Sequence, residues 1–141
     1  MADKQIKYIL VIHGPNMNLI NRFKNIYPPN ITLDKINKIL KQEIINLEIK
    51  TKIFQTNDEL KAVKLINSMR NKLYGIILIP TVWQKSGFIL QNILDLLKIP
   101  FVTISTGEEV VLFKGIKNID KKDFFQSCKI AVEALLMNNI K

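Results

Sequence analysis

Apolar residues along the chain follow two different spacings, which alternate from one end to the other. Compact apolar runs rich in β-branched residues, each bounded by loop-forming residues, predict strands, whereas apolar residues three and four positions apart predict helices. The strands predicted in this way are 6–13, 49–55, 75–79, 101–105 and 110–113. The predicted helices are 33–46, 57–69, 87–97 and a last one that begins at Asp120.

The order of these elements favours a flavodoxin-like α/β fold. Strands separated by helices pair in parallel through right-handed crossovers, so we expect a three-layer sandwich with a five-stranded parallel sheet. Ligands of such sheets bind beyond the carboxyl ends of the strands, where the strand order reverses. The loops 14–29 and 80–86 are therefore predicted to face each other across one crevice, and the first loop is long enough to be functional.

Length and composition fit a single domain over residues 1–141. With 141 residues and 48% hydrophobic content, the chain can bury a continuous core. Cys128 is the only cysteine, which excludes an intramolecular disulfide and fits a reducing compartment. No apolar run approaches the roughly 20 residues of a membrane helix, so the expected location is the cytoplasm, away from membranes. Metal ligands do not cluster and no glycine-rich phosphate loop is present, so no metal or cofactor is expected.

The formal charge of +9 admits three interpretations: a solvated lysine-rich surface, attraction of an anionic substrate, or a polyanionic partner. Only Arg22 and Arg70 among the 21 basic residues are arginine, whereas nucleic-acid readers depend on arginine and on aromatic stacking. The lysines are spread over every predicted helix. The composition therefore favours the solvated surface and argues against a nucleic-acid partner.

Two motifs follow the first and second predicted strands. Residues 13–20 read His-Gly-Pro-Asn-Met-Asn-Leu-Ile and are followed by Arg22 and Tyr27, while residues 54–57 read Phe-Gln-Thr-Asn, with Glu59 two positions on. Both resemble signatures of the type II 3-dehydroquinases, which read Asn-Gly-Pro-Asn-Leu-Asn-Leu-Leu and Phe-Gln-Ser-Asn-x-Glu. Order and spacing resemble that family from residue 6 to about residue 97.

The resemblance implies a role in the shikimate pathway, the dehydration of 3-dehydroquinate to 3-dehydroshikimate. By motif, Tyr27 would be the base, Arg22 would hold it as a phenolate, and Asn16 would bind the water that stabilises the enolate. Gln55 and Glu59, which match the second signature, are candidate substrate-binding residues. The substrate expected from this resemblance is a small anion such as 3-dehydroquinate.

The later signatures of the family are replaced. Residues 79–87 read Ile-Pro-Thr-Val-Trp-Gln-Lys-Ser-Gly where the family has Asn-Pro-Gly-Ala-Tyr-Thr-His-Thr-Ser, so Lys85 stands at the general-acid histidine and Trp83 at the tyrosine. After the fourth strand, Ser105 and Thr106 stand where the family has a histidine-bearing motif. Lys85, facing the crevice, is a candidate to hold the substrate carboxylate, together with Trp83, Ser105 and Thr106 as further binding residues.

These replacements predict weak or lost dehydratase activity, that is, a pseudoenzyme. A dehydratase with an acid and carboxylate site rebuilt from Lys85, Ser105 and Thr106 is one alternative. Others are a non-catalytic binding or scaffold subunit on the same fold, and an enzyme with a changed small anionic substrate. The resemblance also implies a homo-oligomer, a trimer or dodecamer, although Gln91 and Asn92 replace an arginine and an aspartate of the usual trimer contact.

Three further residues each have two possible interpretations, and a fourth has a structural one. His13, the only histidine, is either a hydrogen-bonded structural residue or part of the active site. Trp83 has either a packing or lid role or a stacking contact with a ligand. Tyr27, followed by two prolines, is either the base or an exposed aromatic in a rigid turn. Cys128 is predicted to be a small core residue of the last helix.

Overall fold

A computed structural model describes residues 5–138 of the chain. Its strands are β1 (Lys7–His13), β2 (Ile49–Gln55), β3 (Leu73–Ile79), β4 (Phe101–Ile104) and β5 (Lys117–Ile119). Its helices are α1 (Leu33–Ile44), α2 (Glu59–Met69), α3 (Trp83–Ser86), α4 (Phe88–Leu97) and α5 (Phe124–Asn138), with a 3₁₀ helix at Met17–Arg22. Residues 1–4 and 139–141 lie outside the described part, and the single domain over 1–141 stays a prediction.

The five strands form one parallel sheet in the order β2-β1-β3-β4-β5. This is the flavodoxin-like order, and it confirms the predicted fold class. β1 lies between β2 and β3, with Val11 opposite Ile53 on one neighbour and opposite Ile77 on the other. The strand order reverses between β1 and β3, so the loops that follow these two strands emerge side by side.

Two apolar clusters cover the two faces of the sheet. Ile9 and Val11 pack in the cluster that contains the buried faces of α1 and α5, and Leu10 and Ile12 pack in the one that contains those of α2 and α4. Because successive side chains of a strand point to opposite faces, this alternation is what a strand covered on both sides requires. Among the helices of residues 5–138, none combines the length and the apolar character that crossing a bilayer requires.

Three helices begin near their predicted positions, and a side-chain oxygen accepts a backbone amide hydrogen bond at the start of each. The Thr32 hydroxyl accepts from the Lys35 amide at 3.2 Å, and Asp58 Oδ1 accepts from the Leu60 amide at 3.0 Å, so both act as N-caps. The last helix begins later than predicted. Asp123, rather than Asp120, accepts the amide hydrogen bond of its first turn, from Phe125 at 2.9 Å.

The predicted fifth strand at 110–113 was wrong. The amides of Val111, Leu112 and Phe113 bond to the side-chain oxygen of Gln84 instead of to a strand, at 3.2, 3.0 and 3.2 Å. The sheet edge is completed further along the chain by β5, whose residues pair with β4. Both predicted crevice loops also contain local helix, because the 3₁₀ helix lies within 14–29 and α3 lies within 80–86.

Candidate functional site

A cavity of about 600 Å³ opens at the carboxyl ends of β1, β3 and β4. Its wall includes Pro15 and Asn16 after β1, and Thr81 and Val82 after β3. The Thr81 hydroxyl donates to the Pro15 carbonyl at 3.0 Å, which joins the two loops directly. The prediction that these loops face each other across one crevice is therefore confirmed.

The loop after β1 is held at Asn16 by residues of the second motif. Asn16 has a left-handed backbone, with φ of 67°, and its amide donates to Asn57 Oδ1 at 2.9 Å. The side-chain Nε2 of Gln55 donates to the same oxygen at 3.2 Å and to the Gly14 carbonyl at 3.3 Å. A Cβ at Gly14 would lie 2.6 Å from the Pro80 carbonyl oxygen, so the close approach of the loops requires glycine. Gln55 thus supports the cavity wall and is not part of its described lining.

Tyr27 lies beside the cavity, next to the lining residue Ile26. Its side chain is 47% exposed, and its carbonyl accepts from the Phe124 amide at 2.9 Å, which ties the loop to the start of α5. The ammonium of Lys122 lies 5.6 Å from the centre of the Tyr27 ring. Arg22, at the end of the 3₁₀ helix, is exposed and is outside the described lining. The cation that contacts the Tyr27 ring is therefore Lys122, from the turn between β5 and α5, and not Arg22.

The segment after β3 turns two of its side chains into the protein. Trp83 is 4% exposed and packs in the apolar cluster of α2 and α4, which corresponds to its packing interpretation. Gln84 is also buried, because its side-chain oxygen accepts the three amides of residues 111–113. Lys85 is exposed, and neither Lys85 nor Trp83 is in the described lining of the cavity.

The end of β4 contributes a polar wall to the cavity. Ser105, Thr106 and Glu108 all line it. The Thr106 hydroxyl donates to the Glu108 carboxylate, and the Ser105 hydroxyl accepts from the Gly107 amide at 3.1 Å. Gly107 has φ of 108°, a conformation that favours glycine. The two candidates Ser105 and Thr106 are thus brought together with Asn16 in one cavity.

The side chain of Glu59 does not point into the cavity, although its motif makes it a candidate substrate-binding residue. Its Oε2 accepts from the Leu90 amide at 2.9 Å, in the first turn of α4. A carboxylate at the start of a helix bonds a free backbone amide and complements the helix dipole. Glu59 therefore joins α2 to α4, and it is outside the described lining of the cavity.

A sequence model of the family described as dehydroquinase class II matches residues 7–113. The chain belongs to the type II dehydroquinase family. It is 34% identical over 100 residues to the 3-dehydroquinate dehydratase of Caldanaerobacter subterraneus subsp. tengcongensis, an alignment that covers 70% of this chain and 67% of that protein. It is 30% identical over 131 residues to the 3-dehydroquinate dehydratase of Endomicrobium trichonymphae, covering 92% of this chain and 85% of the relative.

The fold is that of solved dehydroquinases. The crystal structure of the type II dehydroquinase from Butyrivibrio crossotus superposes with a TM-score of 0.77 at 20% sequence identity, covering 93% of this chain and 98% of that one. The resemblance seen in the two sequence motifs is thereby confirmed at the level of family and fold.

The only histidine of this dehydroquinase family member lies in the core. His13 is fully buried, and its Nε2 lies 2.8 Å from Asn37 Oδ1, so Nε2 carries a proton and donates it. Nδ1 has no hydrogen-bond partner within the described residues. Burial lowers the pKa of His13 to about 4, and the Asn37 hydrogen bond only partly opposes this shift. His13 is therefore neutral at pH 7 and is not in the described lining of the cavity.

Cys128 is likewise a core residue, as predicted. It is fully buried in the cluster beneath α1 and α5. Burial raises the pKa of its thiol to about 12, and the charge of Asp123 adds to the effect. The thiol is therefore protonated at neutral pH, which makes it a poor nucleophile.

Several cavity residues of the dehydroquinase-like chain were not predicted from the sequence, and they come from the first loop and from the turn between β5 and α5. Lys24 and Asn25 line the cavity from the first loop, and Asp120, Lys121 and Lys122 line it from the turn between β5 and α5. The latter turn lies beyond residue 113, where the family match ends. The only signal in the sequence was the Lys121-Lys122 pair, and its place at the cavity depends on the position of β5 in the sheet.

Proposed function

We propose that this chain binds 3-dehydroquinate or a closely similar small anion in the cavity and dehydrates it slowly or not at all, acting in the cytoplasm. Two features support binding: the chain belongs to the type II dehydroquinase family, and the cavity lies at the strand order reversal. Its wall includes Asn16, Ser105 and Thr106, with Tyr27 beside it. Tyr27 is the candidate base, and Asn16 is the candidate residue for the water that stabilises an enolate.

The proposal that dehydration is slow or absent rests on the position of His13. Proton donation to a departing hydroxyl near neutral pH is a task for which imidazole is well suited, and a positioned acid contributes roughly 10²- to 10⁴-fold to a rate. The sole imidazole here is buried against Asn37, and its low pKa keeps it neutral. The family's general-acid position holds Lys85, which is exposed and outside the described lining.

The test compares the purified protein with the Caldanaerobacter 3-dehydroquinate dehydratase as an active control. Formation of the enone product from 3-dehydroquinate is followed by absorbance, and binding of the same compound is followed by calorimetry. We expect measurable binding with turnover at least about 100-fold slower than the control. Turnover within tenfold of the control would overturn the claim of lost activity. Absence of 3-dehydroquinate binding would overturn the proposal that this compound is the ligand.

Two variants separate the proposal from a rebuilt dehydratase. Tyr27→Phe should abolish residual turnover, because it removes the proposed base while keeping the ring. Lys85→Ala should leave residual turnover unchanged, because its side chain is exposed outside the described lining. Loss of turnover in both variants would instead support an acid site rebuilt around Lys85.

We also propose that the chain forms a homo-oligomer through α4. Phe88, Ile89 and Leu96 on this helix are 63%, 54% and 71% exposed, which is unusual for large apolar side chains on one helix. Sedimentation velocity of the wild type beside Phe88→Lys and Leu96→Lys tests this. A monomeric wild type, or an assembly unchanged in both variants, would contradict the use of α4.

A further inference from the structure

Two of the three lysines in the cavity lining lie outside the segment that matches the family. Lys24, Lys121 and Lys122 line it, and the last two come from the turn between β5 and α5. That turn follows the end of the segment matched by the family model. Lys85, the lysine at the family's general-acid position, is absent from the described lining. Two of the three lysines in the lining are therefore supplied by a different segment from the one the motifs indicated.

Contacts on both sides hold the turn in place. The Phe124 amide donates to the Tyr27 carbonyl at 2.9 Å, and the Lys121 amide donates to the Ser127 hydroxyl at 3.3 Å. The ammonium of Lys122 lies over the Tyr27 ring, at 5.6 Å from its centre. A cation–π contact restricts an otherwise flexible ammonium. Lys122 is thereby kept near the candidate base and the cavity at once.

Two carboxylates also line the cavity, and one of them is already bonded. Glu108 accepts from the Thr106 hydroxyl, while Asp120 directly precedes the lysine pair. Within residues 5–138, neither Lys121 nor Lys122 takes part in an ion pair. Two lysines that line the same cavity and take part in no ion pair within residues 5–138 raise the local concentration of anions, and their ammonium groups can bond a ligand carboxylate through charge-assisted hydrogen bonds.

We propose that Lys121 and Lys122 bind the carboxylate of a cyclic hydroxy acid in this cavity, the role for which the sequence had made Lys85 a candidate. The inference rests on the proposed function, since it takes the cavity as the ligand site. It makes the turn between β5 and α5 the determinant of selectivity for an acid over its neutral analogue.

The test measures binding, so it does not depend on turnover. The probes are quinate, a stable cyclic hydroxy acid, and its neutral amide, and the readout is the shift of the Gly107 amide signal in NMR titrations. The variants are Lys121→Met with Lys122→Met, and the matched control is Lys85→Met. All three side chains are exposed, so these changes should leave the fold intact. Circular dichroism checks that they do.

We expect the wild type to bind quinate more tightly than the amide. The double variant should bind quinate about tenfold more weakly than the wild type does, because the substitutions remove the two positive charges that pair with the carboxylate. It should bind the neutral amide as tightly as the wild type does. The quinate affinity of the wild type should also fall with added salt, and that of the double variant should fall less steeply, since Lys24 is the one lysine left in the described lining. Lys85→Met should remain within about twofold of the wild type for both probes.

Three results would overturn the inference: no preference of the wild type for quinate over the amide, unchanged quinate binding in the double variant, or a loss that appears in Lys85→Met instead. Titration with 3-dehydroquinate in parallel separates this inference from the proposed function. Lysine-dependent binding of quinate without binding of 3-dehydroquinate would support the carboxylate site and reject the proposed substrate.

Discussion

The imidazole of His13 and the side-chain oxygen of Asn37 form a hydrogen bond of 2.8 Å inside the core, where burial keeps the chain's only histidine neutral although that bond partly opposes the effect. The residue stands at the end of β1, one position before the glycine that allows the two cavity loops to approach. A motif position beside the site is thus occupied by a structural histidine.

Stability should depend on pH through His13. Its pKa is about 4 when folded and 6.5 in the unfolded chain, so below pH 6.5 the unfolded state binds more protons and stability falls as pH falls. Between pH 7 and pH 5 this costs about 2 kcal/mol, since one pKa unit corresponds to about 1.4 kcal/mol. Urea unfolding at both pH values, in the wild type and in His13→Asn, measures it.

The asparagine variant is the control for all other titrating groups. Its loss of stability between pH 7 and pH 5 should be smaller than that of the wild type by about 2 kcal/mol. Equal losses in the two proteins would show that His13 does not contribute to the acid sensitivity.

Gln84 should be a major determinant of stability because one oxygen serves three backbone amides. Gln84→Leu leaves the amides of residues 111–113 without that acceptor, and the buried one among them, that of Phe113, costs about 1 to 3 kcal/mol when it is unsatisfied. We expect the free energy of unfolding to fall by about 2 kcal/mol, measured by chemical denaturation. Gln126→Leu, the same change at an exposed position, should stay within about 0.5 kcal/mol of the wild type. A similar small effect of Gln84→Leu would refute this role.

Glu59 is expected to matter for stability and not for ligand affinity. Glu59→Ala removes the acceptor of the Leu90 amide at the start of α4, which should cost about 1 kcal/mol in unfolding free energy. Glu133→Ala, at an exposed position of α5, is the matched control. A weaker affinity for quinate in Glu59→Ala, with unchanged stability, would return Glu59 to the substrate site that its motif implies.

Asn57 should control the order of the loop that carries Asn16. Its oxygen accepts from the Asn16 amide and from the Gln55 side chain, so Asn57→Ala loses both bonds. We expect the Asn16 amide to exchange its hydrogen about tenfold faster, which corresponds to roughly 1.4 kcal/mol of lost protection. Asn57→Asp keeps an acceptor oxygen and should preserve slow exchange. Fast exchange in both variants would show that another contact orders the loop.

The sequence alone determined the fold class, four of the five strands and the end of the sheet at which the cavity lies. Apolar runs and helical spacing are local signals, and Thr32 and Asp58 cap the helices that follow them because a cap bonds an amide only two or three residues away. The alternation of strands and helices admits few topologies, so the strand order and the facing loops followed from it. The two motifs indicated the family.

Tertiary structure decided which side chains line the cavity. Residues 110–113 have the composition of a strand, yet their amides bond to Gln84, a partner distant in sequence and invisible to local pattern. Glu59 keeps its motif position while its carboxylate caps α4, and Lys85 keeps its position while its neighbours Trp83 and Gln84 turn inward. Lys121 and Lys122 reach the cavity only because β5 pairs with β4 and brings the following turn there. A motif specifies the order of residues, whereas the direction of a side chain depends on what packs around it.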